Sequence, residues 1–124
     1  GGIMTTDFIA LKTGYTADQT IAVLRQEARE AENIYYLYVL DDPGHLVGVV
    51  TLRSLIVSSP ERCLADLMNT RVISVTTGED KSAAAELFAK YRFRALPVVD
   101  DSGVMKGIIT IDDVLEHVAP ELNR

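Results

Sequence analysis

Two hydrophobic periods recur along this chain in the same order. Across residues 16–31 the apolar positions Ile21, Val23, Leu24 and Ala28 fall near a 3.6-residue spacing, with Thr16 or Asp18 placed to cap the start, which predicts an amphipathic helix. Residues 79–91 carry Ala83, Ala84, Leu87, Phe88 and Tyr91 in a similar pattern and predict a second helix. Each is followed by two short β-rich runs, residues 34–40 and 46–51 in the first half and 95–99 and 105–110 in the second. Asp-Asp-x-Gly separates the runs both times, and an acidic turn with glycine where positive φ is needed predicts a hairpin. Residues 52–57 and 111–118 then read as closing helices.

The recurrence is an internal repeat. Residues 34–56 lie over residues 93–115 at a constant offset of 59, so that Asp41/Asp100, Asp42/Asp101, Gly44/Gly103, Gly48/Gly107 and Thr51/Thr110 coincide. Ile3-Met4-Thr5-Thr6 lies over Leu67-Met68-Asn69-Thr70, and Thr13-Gly14 over Thr77-Gly78, at an offset of 64. The difference of five residues is extra length in the first copy between Gly14 and Ile34, more than one helical turn. The expected organisation is repeat 1 over residues 1–57, a polar, proline-broken linker at 58–63, and repeat 2 over 64–124. A unit of about 60 residues is marginal alone. The predicted fold is therefore α+β, with two pseudo-symmetric β-α-β-β-α repeats packed together and clefts between them.

Composition narrows the function. With 48% apolar and 24% charged residues among 124, the chain has enough hydrophobe for a core. Its 18 acids outweigh 12 scattered bases for a net charge of −6, which argues against a nucleic-acid partner. The single cysteine, Cys63, excludes a disulfide framework, suits a reducing compartment and reads as structural. No apolar run approaches the ~20 residues of a membrane span, and no signal-peptide pattern opens the chain. The start at Gly1-Gly2-Ile3, without methionine, and the stop just beyond a helical pattern read as a piece of something longer. Asp41-Asp42 and Asp100-Asp101 precede glycine in turns, where loop chemistry accounts for them. His45 and His117 read as surface residues, and no nucleophile elbow, P-loop or zinc spacing supports an enzyme.

The twice-occurring pattern of Val-Val or Val-Leu, Asp-Asp-x-Gly, Gly-(Val/Ile)-(Val/Ile)-Thr and a closing helix resembles a tandem pair of cystathionine-β-synthase (CBS) domains, a Bateman module, over essentially the whole chain. Gly1-Gly2-Ile3-Met4-Thr5, Ile34-Tyr35-Tyr36-Leu37-Tyr38-Val39, Leu52-Arg53-Ser54-Leu55-Ile56-Val57 and Leu96-Pro97-Val98-Val99-Asp100 resemble, more narrowly, the cytosolic CBS pair of MgtE-type magnesium transporters. The resemblance implies a homodimeric regulatory module on the cytoplasmic side of a membrane. In the parent chain it would lie between an acidic N-terminal helical domain and a transmembrane domain.

Two candidate sites follow from it. CBS pairs that bind adenine nucleotides resemble Thr110-Ile111-Asp112-Asp113, where the Asp113 carboxylate suits the ribose hydroxyls and Thr110, with the free helix-start amides, suits a phosphate. Helix capping is the plain alternative for the same residues. The first copy has Ser54 where the ribose-binding aspartate would be, so one nucleotide per chain is expected. The MgtE resemblance adds Tyr36, Arg53 and Phe93, with Arg53 pairing phosphate and an aromatic ring sandwiching the adenine of ATP. Their plain reading is two strand-entry core residues and a solvated charge. The second site is acidic: Asp80, Asp112, Glu116 and Glu121 are hard oxygen ligands of the kind Mg2+ takes, and Asp112 and Glu116 share a helix face. Charge pattern alone reads these as a helix start and a solvated face. Arg92 stands where the resemblance would favour an acid. A regulatory CBS module of a metabolic enzyme, or a stand-alone adenine-nucleotide-binding CBS protein, is the alternative function.

Overall fold

The structure is a computed structural model that describes residues 4–27, 36–79 and 81–122, for residue 81 and residues 117–122 the backbone alone. Its chain order is β1 (Met4–Thr5), β2 (Ile9–Lys12), α1 (Ala17–Glu27), β3 (Leu37–Leu40), β4 (Leu46–Val50), α2 (Leu52–Val57), α3 (Leu64–Leu67), β5 (Val75–Thr76), α4 (Lys81–Tyr91), β6 (Ala95–Val99), β7 (Met105–Thr110) and α5 (Ile111–Leu122). These elements form two compact units. One is Asp7–Val72, and the other joins the chain up to Thr6 to everything from Ile73 onward.

In the Asp7–Val72 unit the sheet order is β2-β3-β4, with β2 and β3 parallel and β3 and β4 antiparallel. Strand alternation sorts its side chains: Ile9 and Leu11 are buried while Ala10 and Lys12 are exposed. Ile9, Leu11, Leu37, Val39 and Val50 meet Ala17 and Leu24 of α1, Leu55 of α2 and Leu64 of α3 in one core. The start of α1 is a capping box in which Thr16 Oγ1 accepts from the Gln19 amide at 3.1 Å and Gln19 Oε1 accepts from the Thr16 amide at 2.9 Å. Thr16 is thus the cap, and the part of the predicted helix beyond Glu27 lies outside the described residues. The segment read as a linker is tied down, since the Ala17 and Asp18 amides donate to the Arg62 and Pro60 carbonyls.

The other unit repeats the plan in the order β1-β7-β6-β5. Val75, Leu96, Val98 and Ile109 of its sheet pack with Ala84 and Phe88 of α4 and Val114 of α5. Pro97 is tolerated in β6 because β5 pairs only with Val98 and Val99, leaving Pro97 where the strand has one neighbour. The helix predicted from Glu79 begins at Lys81, and Glu79 instead closes the preceding turn, its Oε1 accepting from the Thr76 amide at 2.9 Å. Helix α4 ends on Arg92 in the left-handed region, φ 57°, whose amide donates to the Phe88 carbonyl. Helix α5 runs past its predicted end at residue 118.

Both Asp-Asp-x-Gly segments are hairpin turns, with φ of 101° at Gly44 and 89° at Gly103. The two sequence offsets also acquire a structural cause. Thr5 pairs with Ile108 of β7, and Asn69, its match, pairs with Val49 of β4, the match of Ile108. Each copy's leading segment therefore packs on the last strand of the other copy's sequence. That exchange is why the compact units and the sequence repeats differ at their ends.

Candidate functional site

Each unit brings the end of its last strand beside the start of its middle strand. In the Ile73-onward unit Thr110 pairs with Ala95, and the Ile111 amide donates to the Arg94 carbonyl at 2.9 Å, so Phe93 and the first turn of α5 share one end of the sheet. Thr110 is 3% exposed, and its Oγ1 accepts from the Asp113 amide at 3.3 Å. The capping reading is thus real, and it uses the Asp113 amide while leaving the carboxylate. That carboxylate is half-buried and has no hydrogen-bond or ion-pair partner among the described residues. Phe93 packs against the core and stacks on Tyr91 at 5.4 Å between ring centroids, with Lys90 Nζ over the Tyr91 ring.

In the Asp7–Val72 unit Leu37 pairs with Val50, which sets Tyr36 and the start of α2 at the equivalent end. Tyr36 is half-buried and meets Tyr38 edge-on at 6.3 Å. Arg53 is exposed on α2, without an ion-pair partner among the described residues. Here the cap is self-contained. Thr51 Oγ1 accepts from the Ser54 amide at 3.1 Å, and Ser54 Oγ donates to the Thr51 carbonyl at 2.9 Å. Serine at this position spends its hydroxyl on the backbone, whereas Asp113 keeps two acceptor oxygens. Of the five nucleotide candidates, Phe93, Thr110 and Asp113 belong to one unit and Tyr36 and Arg53 to the other.

Of the four acidic candidates, Asp112 and Glu116 are exposed one turn apart on α5. Asp80 and the Glu121 side chain lie outside what the structure describes. Among the described residues no three His, Cys, Asp or Glu side chains gather into a metal-holding group.

The turn aspartates do structural work. Asp41 Oδ1 accepts from the Gly44 and His45 amides, and Oδ2 pairs with His45 Nδ1 at 2.9 Å. Partial burial pushes against ionisation, but these amides and the imidazole hold the Asp41 carboxyl below the usual range. Asp100 is held low by the Val104 amide, against some desolvation, with help from the Ser102 amide and Lys106. His45 is thus a surface residue held in the turn by Asp41.

Sequence reasoning missed Tyr38. Its side chain is 2% exposed, and its hydroxyl has no hydrogen-bond partner among the described residues. The Tyr36-Leu37-Tyr38 alternation would have placed both tyrosines on one strand face.

A family model for the CBS domain matches residues 1–61 and again residues 64–120. The sequence is 45% identical to the magnesium transporter MgtE of Thermus thermophilus over 121 residues, which is 98% of this chain and 27% of that protein. The chain thus spans about a quarter of that transporter's length. An inosine-5'-monophosphate dehydrogenase of Nitrosopumilus maritimus is 36% identical over 88 residues, 71% of this chain and 18% of that protein. Among solved structures, the cytosolic domain of the Mg2+ channel MgtE in complex with ATP matches with a TM-score of 0.87 at 45% identity, covering 94% of this chain and 47% of that one. No described helix is long and apolar enough to cross a membrane.

Proposed function

We propose, from the premise that this chain belongs to the CBS-domain family as a pair matching the cytosolic region of MgtE magnesium transporters, that it is the regulatory module of such a transporter, on the cytoplasmic side of its membrane, biasing transport in response to Mg2+ and ATP. The observation that carries this reading is the match across 98% of the chain at 45% identity. The dehydrogenase match covers 71% at 36%, which favours the transporter over the metabolic-enzyme alternative.

For the nucleotide, the unpartnered Asp113 carboxylate binds the ribose hydroxyls, while Thr110 and the first amides of α5 face phosphate. Phe93, of the same unit, supplies ring surface for the base, whereas Tyr36 and Arg53 belong to the Asp7–Val72 unit and enter the reading only through the resemblance. Binding by calorimetry tests this: the chain takes up one ATP, and Asp113→Asn, which keeps the shape and removes the charge, weakens it about 10-fold or more. Absence of any heat at millimolar ATP would sink the nucleotide reading.

For the metal, Asp112 and Glu116, exposed one turn apart on α5, present negative charge that repels other acidic surfaces, and Asp80 and Glu121 are further carboxylates of the same sequence. Mg2+ bound there cancels the repulsion and favours a closed arrangement of the parent chain. The module acts as a homodimer, a reading supported by the apolar side chains that α2 leaves exposed, Leu52, Ile56 and Val57.

A further inference from the structure

The Ile73-onward unit lays a second ring on Phe93. Helix α4 ends at Tyr91, and Arg92 follows at φ 57°, a left-handed conformation that side chains disfavour and that no other non-glycine residue adopts among the described residues. The Arg92 amide donates to the Phe88 carbonyl at 3.0 Å, which fixes this turn from the helix side. Beyond it Tyr91 and Phe93, two residues apart, stand with their rings nearly parallel, 13° between planes and 5.4 Å between centroids. Lys90 Nζ lies 5.1 Å from the Tyr91 centroid and adds a cation–π attraction.

The two rings differ in what holds them. Phe93 is half-buried and packs against the core, as does Ile111 at the start of α5. Tyr91 is 40% exposed. Where Phe93 meets the core it is closed to a ligand, whereas the face under Tyr91 is covered by a surface side chain whose rotation uncovers it. At this separation the rings are in direct contact, so no base fits between them. Phe93 shares its end of the sheet with Thr110 and Asp113, through the bond from the Ile111 amide to the Arg94 carbonyl. A base that stacks on Phe93 there takes the place of the Tyr91 ring.

We propose that Tyr91 is a lid on the base subsite, its ring standing on the face of Phe93 where adenine stacks, so that nucleotide binding exchanges the Tyr91–Phe93 stack for an adenine–Phe93 stack. The inference rests on the nucleotide reading given above, draws on residues of one unit, and adds to that reading a competitor built into the chain. The apparent affinity for a base-bearing ligand is lowered by the fraction of molecules in which the lid is open. The lid thus shifts the response of the module to higher ATP concentrations and leaves a ligand without a base unaffected.

Tyr91→Ala tests it, by calorimetric titration of the chain with ATP and with tripolyphosphate, alone and combined with Phe93→Leu. The single variant binds ATP about 3- to 10-fold more tightly than the unaltered chain, the effect of removing one competing aromatic contact. Tripolyphosphate, which has charge but no base, gives the two chains the same response. In the Phe93→Leu background Tyr91→Ala no longer changes ATP affinity, because the contested ring face is gone. Unchanged or weaker ATP binding by Tyr91→Ala alone would overturn the lid, weaker binding making Tyr91 a ring that the base itself touches. An equal gain for tripolyphosphate, or a gain that persists in the Phe93→Leu background, would also overturn it and reduce Tyr91 to a general obstruction. Failure of the unaltered and variant chains alike to bind ATP would instead remove the nucleotide reading itself.

Discussion

Thr51 and Thr110 occupy matching places in the two copies, yet one is exposed and the other 3% exposed. Both cap the helix that follows, and the residue three positions on decides what is left over. Ser54 returns its hydroxyl to the Thr51 carbonyl, whereas the Asp113 carboxylate finds no partner among the described residues. This contrast was legible in the sequence, because Thr-x-x-Asp against Thr-x-x-Ser needs only the repeat alignment to be seen. Tyr38 was not legible, because an orphaned hydroxyl is defined by what covers it and strand alternation does not say what that is. The turn aspartates permit a prediction from pH. Asp41 and Asp100 have folded pKa values below the unfolded value of about 3.9, so the unfolded chain binds more protons wherever the pH lies near or between the two. Their stabilisation is complete above that range and is lost as the pH falls through the folded values. Denaturant melts from pH 6 to pH 2 therefore show stability dropping below about pH 4, and Asp100→Asn flattens the drop because it removes one of the titrating groups. An identical pH profile in the variant would contradict this.

The β3–β4 and β6–β7 hairpins follow directly from local chemistry, since Asp-Asp-x-Gly specifies the turn and the flanking apolar runs specify the strands. β1, β5 and α3 are a different matter. Strands of two residues and a helix of four have too little periodicity to be read, and their place depends on pairing with distant chain. Met4-Thr5 was visible as a match to Met68-Asn69, but what the match meant lay in the glycines opposite. A Cβ at Gly107 would lie 2.5 Å from the Thr5 carbonyl oxygen, and one at Gly48 would lie 2.6 Å from Met68 Sδ. The first obstacle is strand backbone, whereas at the second the far end of Met68 can swing away and leaves its Cβ, 2.9 Å off, as the milder clash, so the two substitutions differ in cost. Gly107→Ala destabilises by about 1–3 kcal/mol in urea melts, and Gly48→Ala by less. Equal costs would mean that β1 yields as readily as a methionine side chain and is not held firmly on β7.

Two apolar cores, one under each sheet, account for how a chain of 124 residues carries two copies of one plan. Neither core uses the outer side of α2, where Ile56 is 65% exposed and Val57 73% exposed. Self-association through that helix leads to a mass twice that of the chain in sedimentation, and Ile56→Glu, on a surface that tolerates charge, returns the monomer mass at the same concentration. A monomeric unaltered chain would contradict self-association of this module, and a variant that still dimerises would place the dimer contact elsewhere. The net charge of −6 first argued only against nucleic acid. With Asp112 and Glu116 exposed on α5, and with the match to a magnesium transporter, it supports the cation-dependent switch proposed above. The account is tested most directly by melting this module, joined to the N-terminal domain that the proposed function implies, in MgCl2 and in NaCl at equal ionic strength. A specific site raises the melting temperature in MgCl2 well beyond the rise in NaCl, and the excess shrinks in Asp112→Asn with Glu116→Gln. Equal rises in the two salts would mean that Mg2+ acts here only by screening, and would contradict the assignment of this module as a magnesium sensor.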